Sequence, residues 1–269
     1  MIFFSKDMTS TESVAACRSL IKKYAKGSYY DFGGIKIPKL EPQDEWTFFS
    51  GIFQETLAPY LLFENHFPDS MFDEHPGVYY GLERPGFEVT VKDGDIVFDA
   101  GSWIGDFAAY ASKCGAESVY AFEPAPGAYQ TLVEASKLNP NITAVNKGLG
   151  DVREYVRMFT GKDGWTSGNT LLVQDDFEQN DIAQVEVTTV DDFVRENKIP
   201  RVDFIKSDIE GFERNMLRGA AHTLREFAPK LAICTYHLPD DPEVLERVIL
   251  EANEAYRIVH KPKILFAAV

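Results

Sequence analysis

Acidic residues and glycines stand where an α/β chain does its chemistry. The segment DIVFDAGSWIG carries Asp99, Gly101 and Gly105 in a D-x-G-x-x-x-G pattern. Gly101 permits a tight turn and a close approach of backbone to ligand, and Gly105 lets the start of a helix pack against its strand. The backbone N–H groups that follow, from Ser102 and Trp103 through Asp106, form a helix N-terminus pointing into the crevice and suited to a carboxylate. This is not the G-x-G-x-x-G of a dinucleotide site, because an aspartate replaces its first glycine. Beside a pyrophosphate that aspartate would repel; beside a ligand carrying an amine and a sulfonium cation it would attract. Glu123, in VYAFEPAP and followed by Pro124, lies 24 positions after Asp99, the spacing of a carboxylate that accepts hydrogen bonds from ribose hydroxyls. VDFIKSDIEG places Asp208 and Glu210 together, either capping the next helix or standing beside a reacting group. His237, in ICTYHLP, is the histidine placed to take a proton from a substrate hydroxyl near neutral pH. Asp208, Glu210 and His237 are therefore the catalytic candidates. Together they have donors for a divalent metal, but no tight ligand spacing marks one, and no metal site is assigned.

Such residues act together only if strands deliver them to one edge of a sheet. Apolar, β-rich runs are predicted as strands at 95–100, 118–123, 142–145, 202–207 and 231–236, alternating with helices at 105–114, 127–138, 190–197 and 212–227. That alternation implies βαβ units and a parallel sheet with helices on both faces. A last helix at 242–253 precedes two runs, 256–260 and 264–269, that can pair as an antiparallel hairpin at the sheet edge. Ligands in such sheets bind outside the C-terminal strand ends, where all the named residues fall. Before residue 90 the character differs: helical spacing at 13–26 and 46–63, then a loop-like stretch at 66–86. Two regions follow, a helical cap over 1–89 and a sheet domain over 90–269. The cap aromatics Trp46, Phe48, Phe49, Phe53, Tyr79 and Tyr80 would exclude water from a pocket. The loop GKDGWTSGNT around Trp165 would close over substrate or lie at the surface.

The stretch from DIVFDAGSWIG through FEPAP, with VDFIKSDIEGFERNMLRGAAHTL and PKLAICTYH, resembles the FkbM family of S-adenosylmethionine-dependent methyltransferases. The resemblance covers about 94–237. It implies a class I methyltransferase, Rossmann-like α/β fold: a seven-stranded, mostly parallel sheet with an antiparallel edge strand. It implies S-adenosyl-L-methionine as cofactor, with Asp99, Gly101 and Gly105 at its methionine end and Glu123 at its ribose. Lys147, Gly148 and Leu149, in the turn NKGLG, would flank the adenine. The implied activity is methylation of a hydroxyl on a small molecule, sugar or natural product. Where the family often ends its fifth strand in glutamate, this chain has Thr235-Tyr236-His237.

Composition narrows the classes further. With 269 residues, 45% of them hydrophobic, the chain can bury a substantial core. Its 42 acidic against 27 basic side chains leave −15, a field that repels nucleic acid and acidic membranes. A small-molecule or glycan acceptor is the expected partner. Three separated cysteines suit a reducing compartment, and no run reaches the length of a membrane span, so a cytoplasmic protein is expected. A nucleic-acid amino-methylating enzyme would carry an N/D-P-P-Y/F/W turn where this chain reads S-D-I-E-G. A catalytically silent small-molecule or nucleotide binder on the same fold, or a methyltransferase acting on a macromolecule, are the alternatives.

Overall fold

The computed structural model describes residues 24–39, 80–159 and 182–269. The predicted helix at 46–63, most of the one at 13–26, the cap aromatics before Tyr80 and the Trp165 loop lie outside them. The chain divides into two compact units, Met1–Tyr79 and Tyr80–Val269.

In the first unit the described residues form an antiparallel meander: β1 (Ala25–Lys26), β2 (Tyr29–Phe32) and β3 (Ile35–Pro38). Phe32 pairs with Ile35 across Gly33-Gly34, both with positive φ, as a two-residue hairpin requires. The expected cap is therefore strand, not helix, over these residues. The alternation in YYDFGGIKIP is the signal for it, burying Phe32, Ile35 and Ile37.

The second unit opens with a short hairpin, β4 (Leu82–Arg84) and β5 (Phe87–Val89). The alternation then runs β6 (Ile96–Ala100), α1 (Asp106–Lys113), β7 (Ser118–Phe122), α2 (Pro126–Leu138) and β8 (Ile142–Val145). After an inserted segment come α3 (Val190–Glu196), β12 (Phe204–Ser207), α4 (Glu213–Arg218), α5 (Ala221–Glu226), β13 (Lys230–Cys234) and α6 (Asp241–Ala252). The last two strands are β14 (Arg257–His260) and β15 (Ile264–Ala268).

Seven of these strands form one sheet in the order β14-β15-β13-β12-β6-β7-β8. β6, β7, β8, β12 and β13 run parallel, and β15 is antiparallel to both β13 and β14. The antiparallel strand thus lies one place in from the edge expected for it, because β15 inserts between β13 and β14. All five residues of β6 are buried, as a central strand covered on both faces must be. Phe98, Phe122 and Phe193 pack against one another beneath the sheet, with ring centroids 4.8–5.8 Å apart. β6 feeds β7 on one side while β12 pairs with it on the other, so the strand order reverses at β6 and opens a crevice there.

Two details depart from the sequence reading. The helix predicted over 212–227 is two helices, broken at Gly219-Ala220, where the Asp191 carboxylate accepts the His222 and Thr223 N–H groups and starts α5 anew. The inserted segment holds β9 (Gly148–Leu149), β10 (Glu154–Phe159) and β11 (Ile182–Thr188). β10 and β11 pair antiparallel, and β11 pairs parallel with β9.

Candidate active site

The glycines of the first turn are required by contacts within the chain. At Gly101, φ is +74° and a Cβ would lie 1.8 Å from the Asp208 carbonyl oxygen. The ends of β6 and β12 therefore touch backbone to backbone. At Gly105, φ is +84° and a Cβ would lie 2.9 Å from Leu132 Cδ1, so this glycine seats α1 against α2 rather than against its strand. The N–H groups expected to face a ligand are largely committed as well. Ser102 donates to the Phe122 carbonyl, Trp103 to Glu123 Oε2 and Gly105 to the Ser102 carbonyl. The first two hold the turn to the end of β7, and the third closes the turn on itself.

Glu123 is the residue they converge on. Its Oε2 accepts the Trp103 N–H at 2.9 Å and its Oε1 the Ala125 N–H at 2.8 Å. Burial pushes this carboxyl up to about 7 against those two bonds and the nearby Lys206. Each oxygen accepts more than one hydrogen bond, so the carboxylate keeps acceptor sites for a ligand hydroxyl. Lys147 extends to Glu186 on β11, 2.6 Å away, which joins the turn after β8 to the inserted hairpin.

Asp99 does not stand open to a cationic ligand. It is fully buried, and its Oδ1 lies 3.0 Å from Lys206 Nζ on the adjacent strand, at the same register. Lys206 also donates to the Gly101 carbonyl at 2.6 Å and lies over the Tyr80 ring. Burial opposes its charge, but Asp99, Asp208 and Asp106 outweigh that and raise its pKa. Asp106, buried near the same lysine, is pushed up to about 7 by burial and by Asp99. The lysine of the K-x-D motif is thus the clamp of the first turn, a role the sequence reading missed. A lysine inside the buried strand FIKS was the available signal.

At the ends of β12 and β13 a second cluster forms. Asp208 accepts the Tyr80 O–H on Oδ2 at 2.6 Å and the Tyr236 O–H on Oδ1 at 3.0 Å. His237 Nε2 lies 3.4 Å from both Asp208 Oδ1 and Glu210 Oε2, and Nδ1 lies 3.0 Å from Glu213 Oε1. Burial alone would lower the histidine; the Glu213, Asp208 and Glu210 carboxylates prevail and push it up to about 9. Three carboxylates around it thus favour the protonated ring when no cation stands between them.

Between the two clusters lies an open cleft. Gly101, Trp103, Glu123, Pro124, Lys147, Gly148, Leu149, Asp208 and Glu210 all line it, as expected of one site. Asp99, Ser102, Gly105, Asp106 and His237 are not among its walls; the first four support the turn, and His237 backs Asp208 and Glu210. Ala100, Phe122, Met158, Ile209 and Phe212 complete the lining. Met158 comes from β10, which packs with Val185 of β11 on Ala125 and Ala128. The cleft is therefore lined by apolar side chains together with the carboxylates Glu123, Asp208 and Glu210 and the ammonium of Lys147.

The chain is similar to known methyltransferases. A family model described as Methyltransferase FkbM domain matches residues 95–258, well over half of the chain. The hexuronic acid methyltransferase AglP of Haloferax volcanii is 25% identical over 171 residues, covering 60% of this chain and 64% of that protein. Methyltransferase 1 of Beauveria bassiana is 30% identical over 149 residues, covering 47% and 59%. The crystal structure of methyltransferase FkbM from Methylobacillus flagellatus KT superposes with a TM-score of 0.51 at 25% identity, covering 66% of this chain and 44% of that one. The chain spans less than two thirds of the length of each of these relatives.

Proposed function

The chain belongs to the FkbM methyltransferase family, and from that premise we propose that it transfers a methyl group from S-adenosyl-L-methionine to a hydroxyl oxygen of a sugar or other oxygen-rich small molecule. The observation that carries this reading is the lining of the cleft, where Glu123, from the end of β7, and Asp208 and Glu210, from the end of β12, share the walls with Leu149, Met158 and Phe212. Glu123 is a buried carboxylate with unused acceptor capacity, which fits the paired hydroxyls of a ribose. Leu149, Met158 and Phe212 offer the flat apolar contacts that an adenine ring takes. The oxygen-rich acceptor follows AglP, whose name assigns it a hexuronic acid.

S-adenosyl-L-methionine supplies a methyl group on a sulfonium, an electrophile that needs no further activation. The protein's task is then alignment, worth roughly 7–11 kcal/mol in favourable cases. Glu123, Gly148 and Leu149 hold the nucleoside side. Asp208 and Glu210 accept hydrogen bonds from the acceptor hydroxyl and turn a lone pair toward the methyl. The hydroxyl proton passes to one of these carboxylates as the oxygen–carbon bond forms, and thence to water, since both are partly exposed. Tyr80 and Tyr236 fix the Asp208 carboxylate in place.

Two variants separate the roles. Glu123→Ala weakens cofactor affinity at least tenfold, about 1.4 kcal/mol. Asp208→Asn leaves cofactor affinity within about threefold and lowers turnover by about 100-fold. Calorimetry with the cofactor, and methyl transfer to a panel of hydroxylated sugars, read the two effects; the reverse pattern would contradict the assignment.

A further inference from the structure

Three donor groups meet at the ends of β12 and β13. One oxygen of Asp208, one of Glu210 and a ring nitrogen of His237 all lie within 4.8 Å of one another. His237 Nε2 stands 3.4 Å from each of the two carboxylates and hydrogen-bonds to neither. An imidazolium using a carboxylate as its partner closes to about 2.7–2.9 Å. Equal stand-off from two carboxylates is instead the spacing of ligands around one ion: donors about 2.1 Å from a cation lie roughly 3.0–3.5 Å apart. The imidazole is nonetheless buried, its side chain only 7% exposed, and its Nε2 has no hydrogen-bond partner. A buried polar ring in that condition has a missing partner.

The surroundings agree. Glu213 is fully buried, its Oε1 is fixed by the Ile209 N–H at 2.8 Å, and the same oxygen faces His237 Nδ1. A carboxylate behind the far nitrogen fixes the tautomer that leaves Nε2 as a metal donor, the arrangement usual for ligating histidines. Asp208 is oriented by two tyrosine hydroxyls, one on each oxygen, and retains a lone pair on each. The overlapping set Glu213, His237 and Asp241 meets the same distance criterion. It is already filled, because Asp241 accepts from Arg214 at 2.6 Å and from the Leu238 N–H at 2.8 Å. A divalent ion at the first set would also offset the excess of carboxylates around a single imidazole.

We infer that Asp208, Glu210 and His237 form a divalent-cation site at the acceptor end of the cleft, whose remaining positions take oxygens of the acceptor. One imidazole and two carboxylates suit Mn²⁺, Mg²⁺ or Zn²⁺. The acceptor clause rests on the methyl-transfer reading; the cation site does not.

The test is titration of the chelator-treated full chain with Mn²⁺, following free ion by electron paramagnetic resonance. One Mn²⁺ per chain is expected, with spin-echo modulation from a directly bound nitrogen. His237→Gln abolishes that modulation, and Glu210→Gln weakens binding at least about tenfold. Glu210 is partly exposed, so its variant keeps the test decisive should His237→Gln fail to fold. Absence of stoichiometric binding at millimolar Mn²⁺, or binding unchanged in Glu210→Gln, overturns the inference. Calorimetry of the chelated wild type with S-adenosyl-L-methionine separates the two readings: cofactor binding without Mn²⁺ binding sinks only the cation site, and the converse sinks only the methyl-transfer reading.

Discussion

Glu123 shows how one side chain can be both scaffold and ligand. Its two oxygens tie the turn after β6 to the turn after β7, and burial raises its carboxyl to about 7. A ribose donates to the ionised form, so cofactor affinity should fall as pH drops from 8 to about 6, with a proton released on binding in that window. Glu123→Gln should flatten the dependence; calorimetry in buffers of different ionisation enthalpy measures both, and an unchanged slope in the variant would exclude this carboxyl. Stability has the opposite sign. The unfolded carboxyl ionises near the ordinary glutamate value of 4.5 and the folded one near 7, so the folded chain binds more protons between those values and its stability declines as pH rises through them. Sequence spacing found Glu123 because strand length and helix length fix where a second strand must end. It did not find Lys206 as partner of Asp99, nor the ring of carboxylates around His237, because both arise from strands that are neighbours in space and distant in the chain.

At the scale of elements, the first turn is held by backbone contact between β6 and β12, and its two glycines differ in what they face. The Cβ of Ala at 101 would meet a carbonyl oxygen at 1.8 Å, whereas at 105 it would meet the end of a leucine side chain at 2.9 Å. Both positions have positive φ, costing roughly 1 kcal/mol for a non-glycine residue. Gly101→Ala should therefore destabilise by about 3 kcal/mol or more, and Gly105→Ala by about 1–2 kcal/mol, since Leu132 can shift. Urea denaturation measures both, and equal losses would contradict the contact. The βαβ alternation was legible to within a residue or two, since apolar runs and amphipathic helices dominate it. β10 and β11 were not anticipated, although EYVRMF and IAQVEVT alternate; they add no strand to the main sheet and interrupt its rhythm. Their contribution is a wall of the cleft through Met158.

Across the whole molecule, the net −15 acquires structure. Asp99 is neutralised by Lys206, Glu123 ties two turns together, and Asp208, Glu210 and Glu213 gather around His237. The sheet gathers them at and just beyond the strand ends on either side of the point where strand order reverses. Among the described residues no helix is long and apolar enough to cross a membrane. The family was legible because its motifs sit at strand ends; the acceptor was not, because much of what precedes residue 80 carries no motif. The central claim is that the cleft takes a sulfonium nucleoside and not a dinucleotide, and the direct measurement is calorimetric titration of the full chain with S-adenosyl-L-methionine and, separately, NAD. One molecule of S-adenosyl-L-methionine bound per chain with no heat from NAD is the predicted result. Binding of NAD, or no binding of S-adenosyl-L-methionine, would contradict it.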